Sequence, residues 1–243
     1  MGDSYRTDRY KLRLLPGYYL GQALMTPPPQ NLSRIRPAQP EDLETMGRVA
    51  YLTGFFGESA AVYFPSLSLF RDLWIKPYLY GAGMCNWLAE LDGIVVGYIV
   101  GASDTQVYRQ YFLRSAFEML KNAMAGKYPG LVGCVPYLLR AAWYSNRRAP
   151  AELYPAHLHI NLLPQARGFG LGHQLLEAHL NCLRARGVRG VQLSTTREND
   201  RALKLYEKFG FEVYIEWRSP LWKPWLGREA THLTLVKDLR AQY

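Results

Sequence analysis

Six residues, Arg167-Gly168-Phe169-Gly170-Leu171-Gly172, have the spacing of a loop that could hold a phosphate. Residues lacking a β-carbon let successive backbone N–H groups close on an anion, and a following helix adds unsatisfied donors with positive dipole character. His173 could add a donor at the helix start. Arg167, beside the glycines, could contact a phosphate through its guanidinium. The same glycines would also serve a tight strand-to-helix turn, so the loop by itself leaves both readings open.

Other residues invite chemistry with less support. His157 and His159 alternate on one strand and share a face, but no third ligand has matching spacing, so no metal is expected. Glu90 and Asp104 lie near the ends of two strand-like runs and could take a proton from an amine; as strand-end carboxylates they could equally be solvated. Gly57-Glu58-Ser59-Ala60-Ala61 half-matches a serine nucleophile elbow, without its final glycine. Tyr206 sits with Ala202, Leu203 and Phe209 on one face of a helical pattern, where an aromatic usually faces the core.

The elements that would position these groups follow from periodicity. Leu32 to Arg36 reads as a short strand, and Pro40-Glu41-Asp42 starts a helix. Cys85 to Leu91 and Ile94 to Ala102 form a hairpin about Asp92-Gly93, a dipeptide suited to positive φ. Helical spacing runs from Gln106 to Ala125 and again around Val135 to Tyr144, making an insertion over about residues 103 to 155. Ala156 to Leu163 alternates as a strand stopped by Pro164, Gly170 to Arg186 is an amphipathic helix ended by Gly187, and Val188 to Ser194 is the next strand. Asn199 caps a further helix, and Phe211 to Trp217 and Thr231 to Val236 complete a β-rich tail.

Composition bounds the rest. The 243 residues, 49% hydrophobic and 14% aromatic, suit one folded domain over 32–243 behind a Tyr-, Arg- and Pro-rich arm, 1–31. No apolar run approaches the length of a membrane span, which predicts a cytoplasmic protein without a membrane partner. The net charge of +9 is spread along the chain, which argues against nucleic acid and leaves room for an anionic cofactor. Three cysteines, Cys85, Cys134 and Cys182, do not read as a disulfide framework and fit a reducing compartment.

The glycine loop lacks the Lys-Ser/Thr of a P-loop and the setting of a dinucleotide fold, which points to coenzyme A. With the segment Asn199 to Phe211 and the strand order, the sequence resembles the GNAT acetyltransferases over roughly residues 32 to 238. More narrowly, Ile35-Arg36-Pro37, Gly97-Tyr98 and Arg197 to Tyr206 resemble the acetyltransferase-like domain of O-GlcNAc hydrolases and its free-standing bacterial relatives.

The resemblance implies a mixed α/β fold, a mostly antiparallel sheet splayed at the parallel pair Ala156 to Leu163 and Val188 to Ser194. It implies that Asn161, Leu162 and Leu163 bond the pantetheine arm of acetyl-CoA, that the Arg167 to His173 loop holds its pyrophosphate, and that Asn199 contacts the arm or phosphates. Tyr206 would protonate the departing thiolate, which suits a phenol near pKa 10 facing a thiol near 8.5. The acceptor would be a primary amine: a small molecule, an aminosugar or a protein lysine. Tyr108, Tyr111, Phe112, Tyr137, Trp143 and Tyr144 of the insertion, with the Trp217, Trp222 and Trp225 segment, would wall its site. A catalytically inactive acetyl-CoA-binding or interaction module is the alternative, and a homodimer is compatible with either.

Overall fold

The computed structural model describes residues 32–81, 85–144 and 147–240; the arm expected at 1–31 lies outside them. In chain order the elements are β1 (Ser33–Pro37), α1 (Leu43–Thr53), α2 (Leu67–Trp74), α3 (Lys76–Tyr80), β2 (Trp87–Leu91), β3 (Ile94–Ala102), α4 (Thr105–Met124) and α5 (Leu131–Trp143). They continue with β4 (Ala156–Leu162), α6 (Leu171–Ala185), β5 (Gly190–Thr196), α7 (Asp200–Lys208), β6 (Glu212–Ser219), α8 (Lys223–Leu226) and β7 (Ala230–Asp238). Among the described residues the strands form one sheet in the order β1-β2-β3-β4-β5-β7-β6, antiparallel except for β4 beside β5. This is the splayed mixed sheet that the resemblance implied.

Local chemistry explains most boundaries. Asp92 and Gly93 both take positive φ, 51° and 79°, and close the β2–β3 hairpin as a two-residue turn. α4 begins one residue earlier than expected because the Asp104 carboxylate accepts from Gln106 N–H and Val107 N–H, an N-cap. β5 starts two residues later than expected. Gly187, at φ 70°, ends α6, and the Val188 N–H turns back to the Leu183 carbonyl at 3.1 Å, so Val188 belongs to the helix cap. α5 begins at Leu131, ahead of the expected Val135, and carries Pro136 inside it. Helices α2, α3 and α8 are too short for a period to announce them.

Two apolar clusters cover the two faces of the sheet. Leu171, Leu175, Leu176, Leu180 and Leu183 seat α6 on one face against Ile99, Leu158 and Val191, all buried. On the other face α1, α2, α3 and the insertion pack Met46, Phe64, Phe70 and Tyr78 against Leu88, Tyr98 and Val100. Burying such side chains contributes about 1.5–3 kcal/mol each, which is what holds the helices in place around the gap in the sheet.

The cysteines correct the sequence reading. Cys85, just before β2, is bonded to Cys182 on α6, 97 residues away, while Cys134 is free and buried. Long separation hides such a pairing, because only the packing of α6 on the hairpin brings the two together. Beside the bond, His179 is fully buried and its Nδ1 meets the Cys85 carbonyl at 2.7 Å.

Candidate active site

β4 and β5 pair through Ala156↔Val191 and His157↔Gln192, then part: β4 stays with β3 out to Leu162, and β5 stays with β7 out to Thr196. An antiparallel ladder alternates between residues whose backbone faces one neighbour and those facing the other. The Leu163 N–H donates to the Val96 carbonyl at 2.9 Å, so Leu163, Asn161 and His159 turn their backbone groups toward β3. Leu162 and Ile160 therefore turn theirs into the gap. Of the three residues expected at a pantetheine arm, Leu162 offers an edge N–H, Leu163 has spent its own, and Asn161 presents its side chain. Ile160 carries no sequence signal for this role; its part follows from register, which periodicity does not reveal.

The glycine loop stands at the mouth of this gap. Gly168 and Gly170 have φ of 93° and 73°, and no atom would crowd a β-carbon at Gly168, so backbone conformation is what calls for glycine there. The first α-helical bond of α6 runs from Gln174 N–H to the Gly170 carbonyl, which leaves the N–H groups of Leu171, Gly172 and His173 unclaimed by the helix. Gly172 passes so near β4 that a β-carbon would lie 3.1 Å from Leu162 Cδ1. The Leu171 side chain is buried in the core, Phe169 is exposed, and the His173 ring packs against Phe209 at 4.6 Å. Arg167 donates from Nη2 to the Gly57 carbonyl at 3.0 Å.

Two cavities meet at the gap. One of about 430 Å³ runs along Leu162, Arg167 and the start of α7, including Asp200, Arg201 and Leu205. The other, about 270 Å³, extends toward α1, α5 and the segment after β6. Thr53, Ile160, Asn161, Asn199 and Tyr206 line both. Asn161 is locked there: it accepts from the Tyr98 hydroxyl at 3.0 Å and donates to Thr53 Oγ1 at 2.7 Å. Asn199 caps α7, its Oδ1 accepting from Ala202 N–H at 3.4 Å. Tyr206 is buried, and burial pushes its phenol above the usual tyrosine range, so it remains protonated and able to donate.

Other sequence candidates go elsewhere. Glu90 accepts from Arg36 Nε at 2.6 Å and Asp104 caps α4; neither lines these cavities. The Ser59 hydroxyl accepts from Ala61 N–H and caps a turn of 3₁₀ helix, a structural role with no histidine beside it among the described contacts. His157 is buried with its Nε2 2.9 Å from the Tyr78 hydroxyl. His159 is exposed at the wall of the smaller cavity, where desolvation by the surrounding protein and then Arg148 lower its pKa to about 4. Of the insertion aromatics Tyr137 lines the smaller cavity, joined by Trp222; Trp143 is 83% exposed and Tyr108 stacks on Tyr78. Tyr63 and Trp74, which complete the wall, come from a stretch that carries no motif.

Residues 55–211 match the model of the acetyltransferase (GNAT) family. Two curated relatives are mycothiol acetyltransferases, from Beutenbergia cavernae (52% identical over 75 residues, 30% of this chain and 24% of that protein) and Streptosporangium roseum (48% over 52 residues, 21% and 15%). The matches thus span about a quarter or less of those relatives' length. Among solved structures, SsHAT superposes with a TM-score of 0.56 at 24% identity, covering 86% of this chain and 99% of that one. An N-acetyltransferase from Staphylococcus aureus Mu50 gives 0.54 at 18%, with 86% and 99% covered. A Salmonella typhimurium chain, yncA, solved with its cofactor acetyl-CoA, gives 0.50 at 14%, with 86% and 95% covered. At these identities the structural likeness speaks for the fold. The narrower resemblance to the O-GlcNAc hydrolase domain finds no support among these relatives. No helix among the described residues is long and apolar enough to cross a membrane. With the family model covering most of the folded region and the sheet splayed beside a glycine loop, this chain belongs to the acetyltransferase (GNAT) family.

Proposed function

We propose that the chain moves an acetyl group from acetyl-CoA to a primary amine by direct transfer. The observation that carries this is the meeting of two cavities at the β4–β5 gap, with the edge of Leu162 on one side and Tyr206 on the other. The larger cavity, entered past Arg167 and the glycine loop, suits the pantetheine arm, and the α6 N-terminus suits its pyrophosphate. The residues fit that ligand: the loop donors are unclaimed by the helix, and the edge of β4 that would face the arm is unpaired beyond His157.

Acetyl-CoA supplies an activated acyl group as a thioester. Everything else falls to the chain. The Leu162 and Ile160 edge presents backbone groups toward the gap, where an N–H can polarise a carbonyl without reorganising. Asn161, held from both sides, and Asn199 narrow the passage and orient what lies in it. Tyr206 holds a proton at its hydroxyl for the departing sulfur while the amine nitrogen gains the acyl carbon; the proton that the amine loses restores the balance through water.

Calorimetric titration of acetyl-CoA into the wild-type protein and an Arg167→Ala, Gly170→Asp variant tests the reading. Binding in the micromolar range, about −8 kcal/mol, that the variant loses supports it. A folded wild type that binds no acetyl-CoA would leave a scaffold with an inherited loop. Binding without turnover of any amine would leave the inactive module.

A further inference from the structure

Where β4 and β5 part, a small opening adjoins the gap, and a cation lines it. Arg148 borders it together with His157, His159, Gln192 and Ser194. His159 and Ser194 also line the smaller of the two cavities at the gap, so the opening and that cavity share a wall. The last couple of the parallel ladder is His157 and Gln192, and the next residues on the same faces of their strands are His159 and Ser194. Both are exposed there.

The backbone on either side of Arg148 is tied down. The Arg147 carbonyl accepts from Thr234 Oγ1 at 2.6 Å, while Ala149 gives its N–H to Gln192 Oε1 at 2.9 Å and takes Gln192 Nε2 on its carbonyl at 3.1 Å. Thr234 is on β7 and Gln192 on β5, so Arg148 is rooted on the sheet itself. Gln192 is spent on this segment, and His157 on the Tyr78 hydroxyl at 2.9 Å. Among the described residues of the opening, the Arg148 guanidinium, the His159 imidazole and the Ser194 hydroxyl are left to meet a ligand. The Arg148 charge reaches both histidines: desolvation, then His159, then Arg148 hold His157 well below the usual range, and desolvation and then Arg148 bring His159 to about 4.

We propose that Arg148 binds a carboxylate of the acceptor, which makes the acceptor an amino acid, with its amine and its carboxylate a few bonds apart on one small molecule. This rests on the acetyltransfer reading above and narrows it.

A guanidinium presents planar N–H donors that match the two oxygens of a carboxylate, and Ser194 and the neutral His159 can each give one hydrogen bond more. The spacing suits such a molecule. At about 3.3 Å per residue, Ile160 and Leu162, whose backbone groups face the gap, lie roughly 3–10 Å beyond His159 along β4. With its carboxylate at Arg148, an amino acid can place its nitrogen beside that edge. An amine lacking the acid gains nothing from Arg148, and a second ammonium is repelled by it. Solvent at the open rim screens the pair, so the selection is about tenfold rather than the roughly hundredfold of a fully desolvated pair. In the transfer step the C–N bond forms as the thioester C–S bond breaks, the amine releases one proton and the sulfur takes one up, while the carboxylate keeps its charge.

The test is free-thiol release from acetyl-CoA by the full chain with amines that differ only in the carboxylate: phenylalanine against 2-phenylethylamine, and alanine against ethylamine. In at least one pair the acid should lead in kcat/KM by about tenfold or more. Arg148→Gln should cost that acid about tenfold more than its partner, through KM with kcat within about twofold, and Arg148→Lys should recover part of the loss. Acetyl-CoA affinity in calorimetry checks that each variant is folded. A second arm needs no turnover. 3-Phenylpropionate, which has the carboxylate and no amine, should shift the His159 imidazole resonance in NMR at neutral pH; 3-phenylpropanol should not, and the shift should vanish in Arg148→Gln. If neither pair is acetylated, the NMR arm decides. A wild type that prefers the amines without the acid, an absent shift, or an acid preference that survives Arg148→Gln would overturn the proposal and leave acetyltransfer standing. Failure to bind acetyl-CoA would overturn both.

Discussion

Arg167 and Gly57, 110 residues apart in sequence, are joined by a hydrogen bond from the guanidinium Nη2 to the glycine carbonyl at 3.0 Å. Gly57 sits at φ 90°, and a β-carbon there would lie 2.9 Å from the same Nη2. The bond ties the loop after α1 to the mouth of the larger cavity, which both residues line. A side chain beside the glycine loop therefore also braces the wall formed by Gly57.

Replacing Arg167 by Ala should weaken acetyl-CoA binding by about tenfold to a hundredfold, the range of a charge-assisted contact of about 1.5–3 kcal/mol. The loss should shrink as salt rises, because screening weakens the wild-type contact. Calorimetry at two ionic strengths checks it; an unchanged affinity would show that the guanidinium serves the Gly57 wall alone.

Tyr206→Phe should lower kcat by about 10² to 10⁴ while the KM for acetyl-CoA changes little, since the hydroxyl is asked to act at the departing sulfur. Burial holds the wild-type phenol above its usual range, so activity should not fall through tyrosine ionisation up to about pH 10. A pH–rate profile of both proteins separates this from a packing role, for which a Phe of the same shape would retain most activity.

Stability should fall in mild acid. His179 is fully buried, and burial lowers its pKa from 6.5 to about 4, with the Cys85 carbonyl opposing the shift. The folded pKa lies below the unfolded one, so the unfolded chain takes the proton first. The stabilisation is full above about pH 6.5 and lost as pH falls toward 4. By pH 5 the loss is of order 2 kcal/mol, roughly 1.5 pH units at 1.36 kcal/mol each. Urea denaturation at pH 7 and pH 5 measures it, and His179→Gln should flatten the difference.

Cys182→Ser should destabilise the fold by about 2–4 kcal/mol, as expected when a long closed loop is released in the unfolded chain. Urea midpoints with and without reductant check this: wild type should move toward the variant, and the variant should not move.

Asn199→Ala should cost about 0.5–2 kcal/mol through loss of the α7 cap, and Asn199→Asp should restore it. Since Asn199 also lines both cavities, activity that stays low in the Asp variant after stability returns would reveal a role beyond capping.

Elements governed by neighbours in the chain were legible in the sequence. Asp92-Gly93 closes its hairpin, Gly187 and Gly210 take positive φ just past α6 and α7, and the Arg167 to Gly172 loop opens a helix after a strand, because φ preference and capping act within a few residues. Strand order, hydrophobic period and the glycine loop together pointed to the family. What the sequence could not decide depends on groups brought together from far apart. The Cys85–Cys182 bond, the engagement of Glu90 by Arg36, and the spending of the Leu163 N–H on Val96 each require the packed sheet. Whether Leu162 or Leu163 faces the gap turns on register, which a one-residue shift inverts. The aromatic wall of the smaller cavity is the furthest from any local signal: Tyr63, Tyr137, His159 and Trp222 belong to four separate segments, and only their convergence forms it.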